Sequence, residues 1–258
     1  MCLLLLSYDM HPNYRLILAA NRDEYYDRPA QPLSFWEDAP NILAGRDLKC
    51  QGTWLALTRN GRISAITNFR EQVTQNEHAP SRGHLVSDFD AWKESPKKYL
   101  EHIESIGHRY NGFNLLAGDR ADVYYYSNRG NGIRKFTPGV YGLSNHLLDT
   151  PWPKVEKGKA DLNALITGKS DIHPEDVFRL LGDRSIPPDD RLPDTGVGID
   201  WERILSPLFI ASDIYGTRSS SVVLEDRSGK VTFWERSFIP AASGPEGQEA
   251  RKYSFMIP

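Results

Sequence analysis

Cysteine is scarce: Cys2 and Cys50 are the only two in 258 residues. That is too few for a disulfide framework, and a bridge would consume the thiol at the start of the chain. Both are read as free thiols in a reducing compartment, with the cytoplasm as the expected location. Long apolar runs are also absent. Leu3–Leu6 has no basic segment before it and meets Ser7, Tyr8 and Asp9 too early for a signal peptide. Nothing approaches the roughly 18 to 20 apolar residues that span a bilayer, so no transmembrane segment is expected. Neither charge sign is in excess, since 31 Lys and Arg against 34 Asp and Glu leave −3. This balance gives no electrostatic ground for binding nucleic acid or an anionic membrane, and small molecules become the expected partners. Dinucleotide and phosphate loops, His-Glu-x-x-His, Gly-x-Ser-x-Gly and Cys-x-x-Cys are all missing. The seven histidines show no metal-ligand spacing.

What is present is enough apolar residue, 40% of the chain, to bury a core. Cys2 to Tyr8 is a continuous apolar run ended by the turn residues Asp9 to Asn13, and Tyr14 to Ala20 reads as its hairpin partner. Runs apolar throughout are the pattern of strands buried on both faces. Arg22 to Arg46 is read as a long irregular loop, because Pro29, Pro32 and Pro40 interrupt it. A second hairpin turns at Asn60-Gly61 and ends at Thr67-Asn68-Phe69. Helices are expected after a Ser81 cap, after Ser95-Pro96 with Gly107 as stop, from Pro151 to Leu165 and from Pro174 to Leu181. Strands return at Gly112–Ala117, Val123–Tyr126 and Val140–Asn145. They return again at Phe209–Asp213, Ser219–Glu225, Val231–Phe238 and Lys252–Ile257. Asp183 to Asp200 reads as an irregular segment or lid, and Gly244 to Ala250 as a polar connector. Strand pairs at both ends with helices between give an α+β sandwich, one domain over 1–258, with helices outside two stacked antiparallel sheets.

Cys2 has two readings. It is a small buried hydrophobe at a strand start, or, with Met1 trimmed, a nucleophile beside its own α-amine, which titrates at about pH 8. Asn21-Arg22-Asp23-Glu24 is the densest polar cluster, either a solvated turn or part of a site. On an extended chain Arg22 and Asp23 point to opposite faces, so one site uses both only if the strand has ended. Asn68 and Asn145 each end a strand after a hydroxyl residue, placed to donate to an oxyanion or to close a turn. Arg218, among the hydroxyls Thr217 and Ser219–Ser221, marks a capped bulge or a contact to carboxylate or phosphate.

Taken in order, several segments resemble the NRDE family of transport and Golgi organization proteins. They are Met-Cys, Leu18–Glu24, Gly52–Leu55, Ala65–Asn68, Ser81–Gly83, Tyr110–Leu115, Tyr141–Asn145, Thr150–Trp152 and Tyr215–Arg218. The resemblance implies an N-terminal nucleophile (Ntn) hydrolase fold, a four-layer αββα sandwich similar to that of penicillin V acylase and bile salt hydrolase. It assigns Cys2 as nucleophile, Arg22 and Asp23 as its positioners, Asn68 and Asn145 to the oxyanion or amine, and Arg218 to the nucleophile's surroundings. Here the early arginine and aspartate are adjacent, whereas that group separates them by two residues. The resemblance also implies binding and trafficking of haem or acyl-coenzyme A-type lipids near Cys2 and Asn21 to Glu24, haem being a bound ligand. The alternative it carries is a Cys2-dependent amidohydrolase or thioesterase that works through an acyl-enzyme.

Overall fold

The computed structural model describes residues 3–71, 76–238 and 248–258. Contacts divide the chain into two compact units. The first takes residues up to Asp27, Thr137–Ser144 and Leu148–Phe255; the second takes Arg28–Phe136, Asn145–Leu147 and Met256–Pro258. Each is built on one antiparallel sheet.

In the first unit β1 (Leu3–Tyr8) is buried along its whole length. It pairs antiparallel with β2 (Tyr14–Tyr25), Leu3 standing opposite Asn21. Further partners are β10 (Gly139–Leu143), β11 (Tyr215–Asp226), β12 (Lys230–Phe238) and β13 (Gln248–Met256), in the order β10-β1-β2-β11-β12-β13. Helices α3 (Pro153–Ile166) and α4 (Pro174–Leu181) cover one face, where Leu3, Leu5, Ile17, Ala19, Val222 and Leu224 meet Leu162, Val177 and Leu181. Alternation along a strand puts these residues on one side and Leu4, Leu6, Leu16 and Leu18 on the other. Burying each such leucine stabilises the fold by about 1.5–3 kcal/mol. Gly158 lets α3 lie on β1, for a Cβ there would come within 2.9 Å of the Leu5 side chain.

The second unit holds seven strands in chain order: β3 (Ala30–Phe35), β4 (Ile42–Asp47), β5 (Leu55–Thr58), β6 (Ile63–Asn68), β7 (Phe113–Gly118), β8 (Val123–Ser127) and β9 (Arg134–Lys135). Helices α1 (His84–Ala91) and α2 (Pro96–Ile106) pack on it through Leu85, Phe89, Leu100 and Ile103 against Ile66, Phe113 and Leu115. Ser95 caps α2 by accepting from the Lys98 N–H, and Pro96 occupies the first turn.

Five expectations are corrected. Arg22–Arg46 is not an irregular loop: β2 runs on to Tyr25, and β3 and β4 follow. Pro32 is tolerated because β3 is an edge strand with its register shifted between Gln31 and Ser34, so no ladder donor is lost. Ser81 does not cap α1; Gly83 holds that position without a side-chain bond. Phe209–Asp213 forms only the isolated bridge Ala211–Gly216, and the supposed lid ends in α5 (Ile199–Leu205). Of the expected connector, residues 244–247 lie outside the described residues, while Gln248–Ala250 open β13. Among the described residues no helix is long and apolar enough to cross a membrane.

Candidate functional site

The polar cluster of the first unit lies where β2 runs between β1 and β11, and strand pleating sorts it onto two faces. Asn21 belongs to the helix-covered face. It is fully buried, and its amide donates to the carbonyls of Leu181 at 2.9 Å and Leu208 at 2.8 Å. Its oxygen accepts from Ser220 Oγ at 2.6 Å. The whole amide is committed to tying β2 and β11 to the end of α4.

Asp23 follows on the same face. Its Oδ1 accepts from Thr217 Oγ1 at 2.7 Å, and that hydroxyl in turn accepts from the Ile210 N–H at 2.9 Å. Because Thr217 Oγ1 accepts from an amide, its single proton is directed at the aspartate. Asp23 and Thr217 are register partners, yet the next pair is Arg22 with Ser219, so Arg218 is an extra residue in β11. Such a bulge reverses the phase of the strand. It turns Thr217 toward Asp23 and Ser219 toward Arg22. Arg218 itself donates from Nη1 to the carbonyls of Tyr25 at 2.9 Å and Tyr26 at 3.1 Å, clamping the end of β2.

Arg22 therefore stands on the face turned away from α3 and α4. It is 4% exposed. Ser219, opposite it, is equally buried, and its hydroxyl has no hydrogen-bond partner among the described residues. Register continues this row to Ser237 and places Ser221 and the buried Glu235 in the next, with Ser237 Oγ 3.3 Å from Glu235 Oε1. Arg22, Glu235 and three serines thus form a polar group at one end of a face that carries Leu18 and Val223 further along. Glu24, at the half-buried end of β2, accepts from the Tyr25 N–H at 3.0 Å. Cys2 lies outside the described residues; Leu3, joined to it, is the partner of Asn21.

Asn68 and Asn145 meet in the second unit. Asn145 Nδ2 donates to the Asn68 carbonyl at 2.9 Å, and the Asn145 carbonyl accepts from the Arg70 N–H at 2.7 Å. Behind them Asn114, fully buried, donates to Thr67 Oγ1 and to the His146 carbonyl, both at 3.0 Å, and accepts from the Tyr125 hydroxyl at 2.8 Å. Asn114 thereby fixes the segment carrying Asn145. Sequence reasoning missed Asn114, Thr217 and Ser219 as site-building residues. The available signal was a polar residue inside an apolar strand, and for Ser219 only the bulge gives it meaning.

His146 packs on Phe69 with ring centroids 4.7 Å apart, and burial holds its imidazole below the ordinary value of 6.5. The folded state thus favours the neutral ring. Stability from this group is complete above the unfolded value and is lost as pH falls through the lowered folded value. Replacing His146→Phe is expected to flatten the pH dependence of the urea midpoint below about pH 7. An unchanged slope assigns that dependence elsewhere.

These elements define the class. Two antiparallel sheets with flanking helices constitute an Ntn-hydrolase-type fold, and solved structures of that type align with nearly the whole chain. Penicillin V acylase from Agrobacterium tumefaciens aligns at TM-score 0.54 and 11% identity, covering 99% of this chain and 86% of the other. Conjugated bile acid hydrolase from Clostridium perfringens aligns at TM-score 0.50 and 9% identity, covering 100% and 98%. The family is narrower than the fold. The model for Transport and Golgi organisation 2 matches residues 1–240, and the chain belongs to that family. The Mus musculus Transport and Golgi organization 2 homolog is 38% identical over 260 residues, covering 93% of this chain and 94% of its own. The Homo sapiens homolog is 37% identical over 278 residues, covering 100% and 99%, and the Drosophila melanogaster protein is 29% identical. The resemblance read from the Met-Cys start, the Asn21–Glu24 segment and the later motifs is borne out.

Proposed function

We propose that the chain is a ligand-binding and trafficking protein on an Ntn-hydrolase scaffold, holding haem or an acyl-coenzyme A-type lipid near Cys2 and Asn21–Glu24. The observation that carries this reading is the buried Arg22 opposite the buried Ser219, whose hydroxyl has no hydrogen-bond partner among the described residues. A guanidinium recognises carboxylates and phosphates in a planar, bidentate way. Haem propionates and coenzyme A phosphates are both ligands of that kind. Asn21, Asp23 and Thr217 act beneath it, fixing the strand that presents Arg22. Titration of the wild-type chain with haem, with a long-chain acyl-coenzyme A, and with one against the other tests the shared pocket. Each is expected to bind at one equivalent and to displace the other. Binding of neither contradicts the reading, and binding without displacement removes the common site.

A second reading, a Cys2-dependent amidohydrolase or thioesterase, is favoured by one feature: Cys2 immediately precedes β1, whose first residue pairs with the Asn-Arg-Asp-Glu segment. The thiol would attack the amide or thioester carbonyl and expel the amine or thiol, and water would then hydrolyse the acyl-enzyme to the free acid and restore Cys2.

A further inference from the structure

The dipeptide Asn-Gly occurs three times in the chain, as Asn60-Gly61, Asn111-Gly112 and Asn131-Gly132. Such a linkage is chemically labile, because no Cβ beside the glycine nitrogen shields it from the carboxamide carbon of the residue before. All three lie in the second unit, and the fold treats them differently.

Asn60-Gly61 is the tip of the β5–β6 hairpin. Its side-chain oxygen accepts from Thr58 Oγ1, and the Gly61 N–H is committed to the Thr58 carbonyl at 3.0 Å. Gly61 is buried, with Ile257 against it. At Asn111 the whole carboxamide is held by one residue: its oxygen accepts from the Asn76 N–H at 2.9 Å, and its Nδ2 donates to the Asn76 carbonyl at 3.0 Å. The following Gly112 is buried too, its carbonyl accepting from the Phe69 N–H and from Arg82 Nη1, each at 2.9 Å. At either place the carboxamide and the glycine nitrogen join only after bonds of the fold have broken.

Asn131-Gly132 sits in the turn between β8 and β9. Before it, the Gly130 N–H donates to the Ser127 carbonyl at 3.1 Å; after it, Ile133 packs against the core. Between these anchors both residues are exposed. Among the described residues no hydrogen bond reaches the Asn131 carboxamide or the Gly132 N–H. Gly132 stands at φ +66°, and a Cβ there would meet nothing within 4 Å, whereas one at Gly112 would come within 2.8 Å of Glu71 Oε1.

We infer that Asn131-Gly132 is a site of spontaneous deamidation, set apart from the other two by the fold. The Gly132 nitrogen gives its proton to solvent base and attacks Asn131 Cγ. A nitrogen–carbon bond forms, the side-chain nitrogen leaves as ammonia, and a succinimide ring remains. Water then opens the ring. Attack at Cγ yields aspartate at 131; attack at the main-chain carbonyl yields isoaspartate, with the chain rerouted through Cβ. One water is consumed and one ammonia released, with no change in oxidation state. Either product adds a negative charge to the turn. The isoaspartyl form also lengthens the main chain by one carbon beside β9, which is held to β8 through the pairs Tyr124–Lys135 and Tyr125–Arg134.

Peptide mapping by mass spectrometry of the wild-type chain, aged in mildly alkaline buffer, reads all three sites together. Breaking two neutral hydrogen bonds first slows a reaction about tenfold or more, so Asn131 is expected to convert at least that much faster than Asn60 or Asn111. In guanidinium the three rates are expected to converge within about threefold, because the restraints are gone. Asn131→Gln keeps the amide at an exposed position but lengthens the arm that must close the ring. It is expected to abolish the acidic species on ion exchange at an unchanged melting temperature. Folded-chain conversion of Asn60 or Asn111 at the rate of Asn131 overturns the inference. So does an Asn131 peptide that stays intact in the folded chain over the period in which the denatured chain converts.

Discussion

Asn21→Leu is expected to destabilise the chain by about 3–5 kcal/mol, because it strands three buried groups at once. The carbonyls of Leu181 and Leu208 lose their donor and the hydroxyl of Ser220 loses its acceptor. Each buried polar group left unmade costs about 1–3 kcal/mol, and partial relaxation keeps the sum below the maximum. For a chain of this length that corresponds to a fall in melting temperature of roughly 10 °C. Asn21→Asp separates polarity from volume. It keeps the size but turns lone pairs toward two carbonyls, and is expected to be at least as damaging. Guanidinium unfolding of both variants measures the effect, and a loss below about 1 kcal/mol for Asn21→Leu shows that the amide does not hold the strands together.

Arg22→Ala is expected to weaken binding of haem and of acyl-coenzyme A by about 30-fold or more, since a desolvated cation facing an anionic ligand contributes about 2 kcal/mol or more. Arg22→Lys restores charge without the planar fork and is expected to recover only part of the loss. Thr217→Val removes the hydroxyl that binds Asp23. It acts on the opposite face of β2 and is expected to lower stability while leaving ligand affinity within about threefold. Should Arg22→Ala bind both ligands as wild type does, the guanidinium has no part in recognition.

The β1–β2 hairpin was legible because Leu3–Leu6 and Leu16–Ala20 are continuous apolar runs, and α2 because Ser95-Pro96 and Gly107 bracket a helical repeat. β3 was hidden by the same local chemistry: proline is a breaker in most contexts, and its tolerance at an edge depends on which strands pair, which no local pattern states. Phe209–Asp213 has strand composition but lacks a continuous partner, and only the bridge at Ala211 forms. The site was legible in composition but not in orientation. Asn21, Arg22 and Asp23 stood out as a cluster, and alternation already divided them. The strand continues past Asp23, so they remain divided. The bulge at Arg218 decides what each of them meets, and a bulge is a property of the pairing between β2 and β11. Ser219 looked like one of several serines until that pairing placed it, buried, opposite Arg22.

The most direct test of binding without turnover is intact-mass spectrometry of the wild-type chain during incubation with a long-chain acyl-coenzyme A, with free coenzyme A assayed in parallel. Binding and carriage predict a reversible complex, intact ligand on recovery and no mass added to the peptide containing Cys2. An acyl adduct on Cys2 that forms as coenzyme A is released, and then decays, contradicts the account and makes the chain a thioesterase.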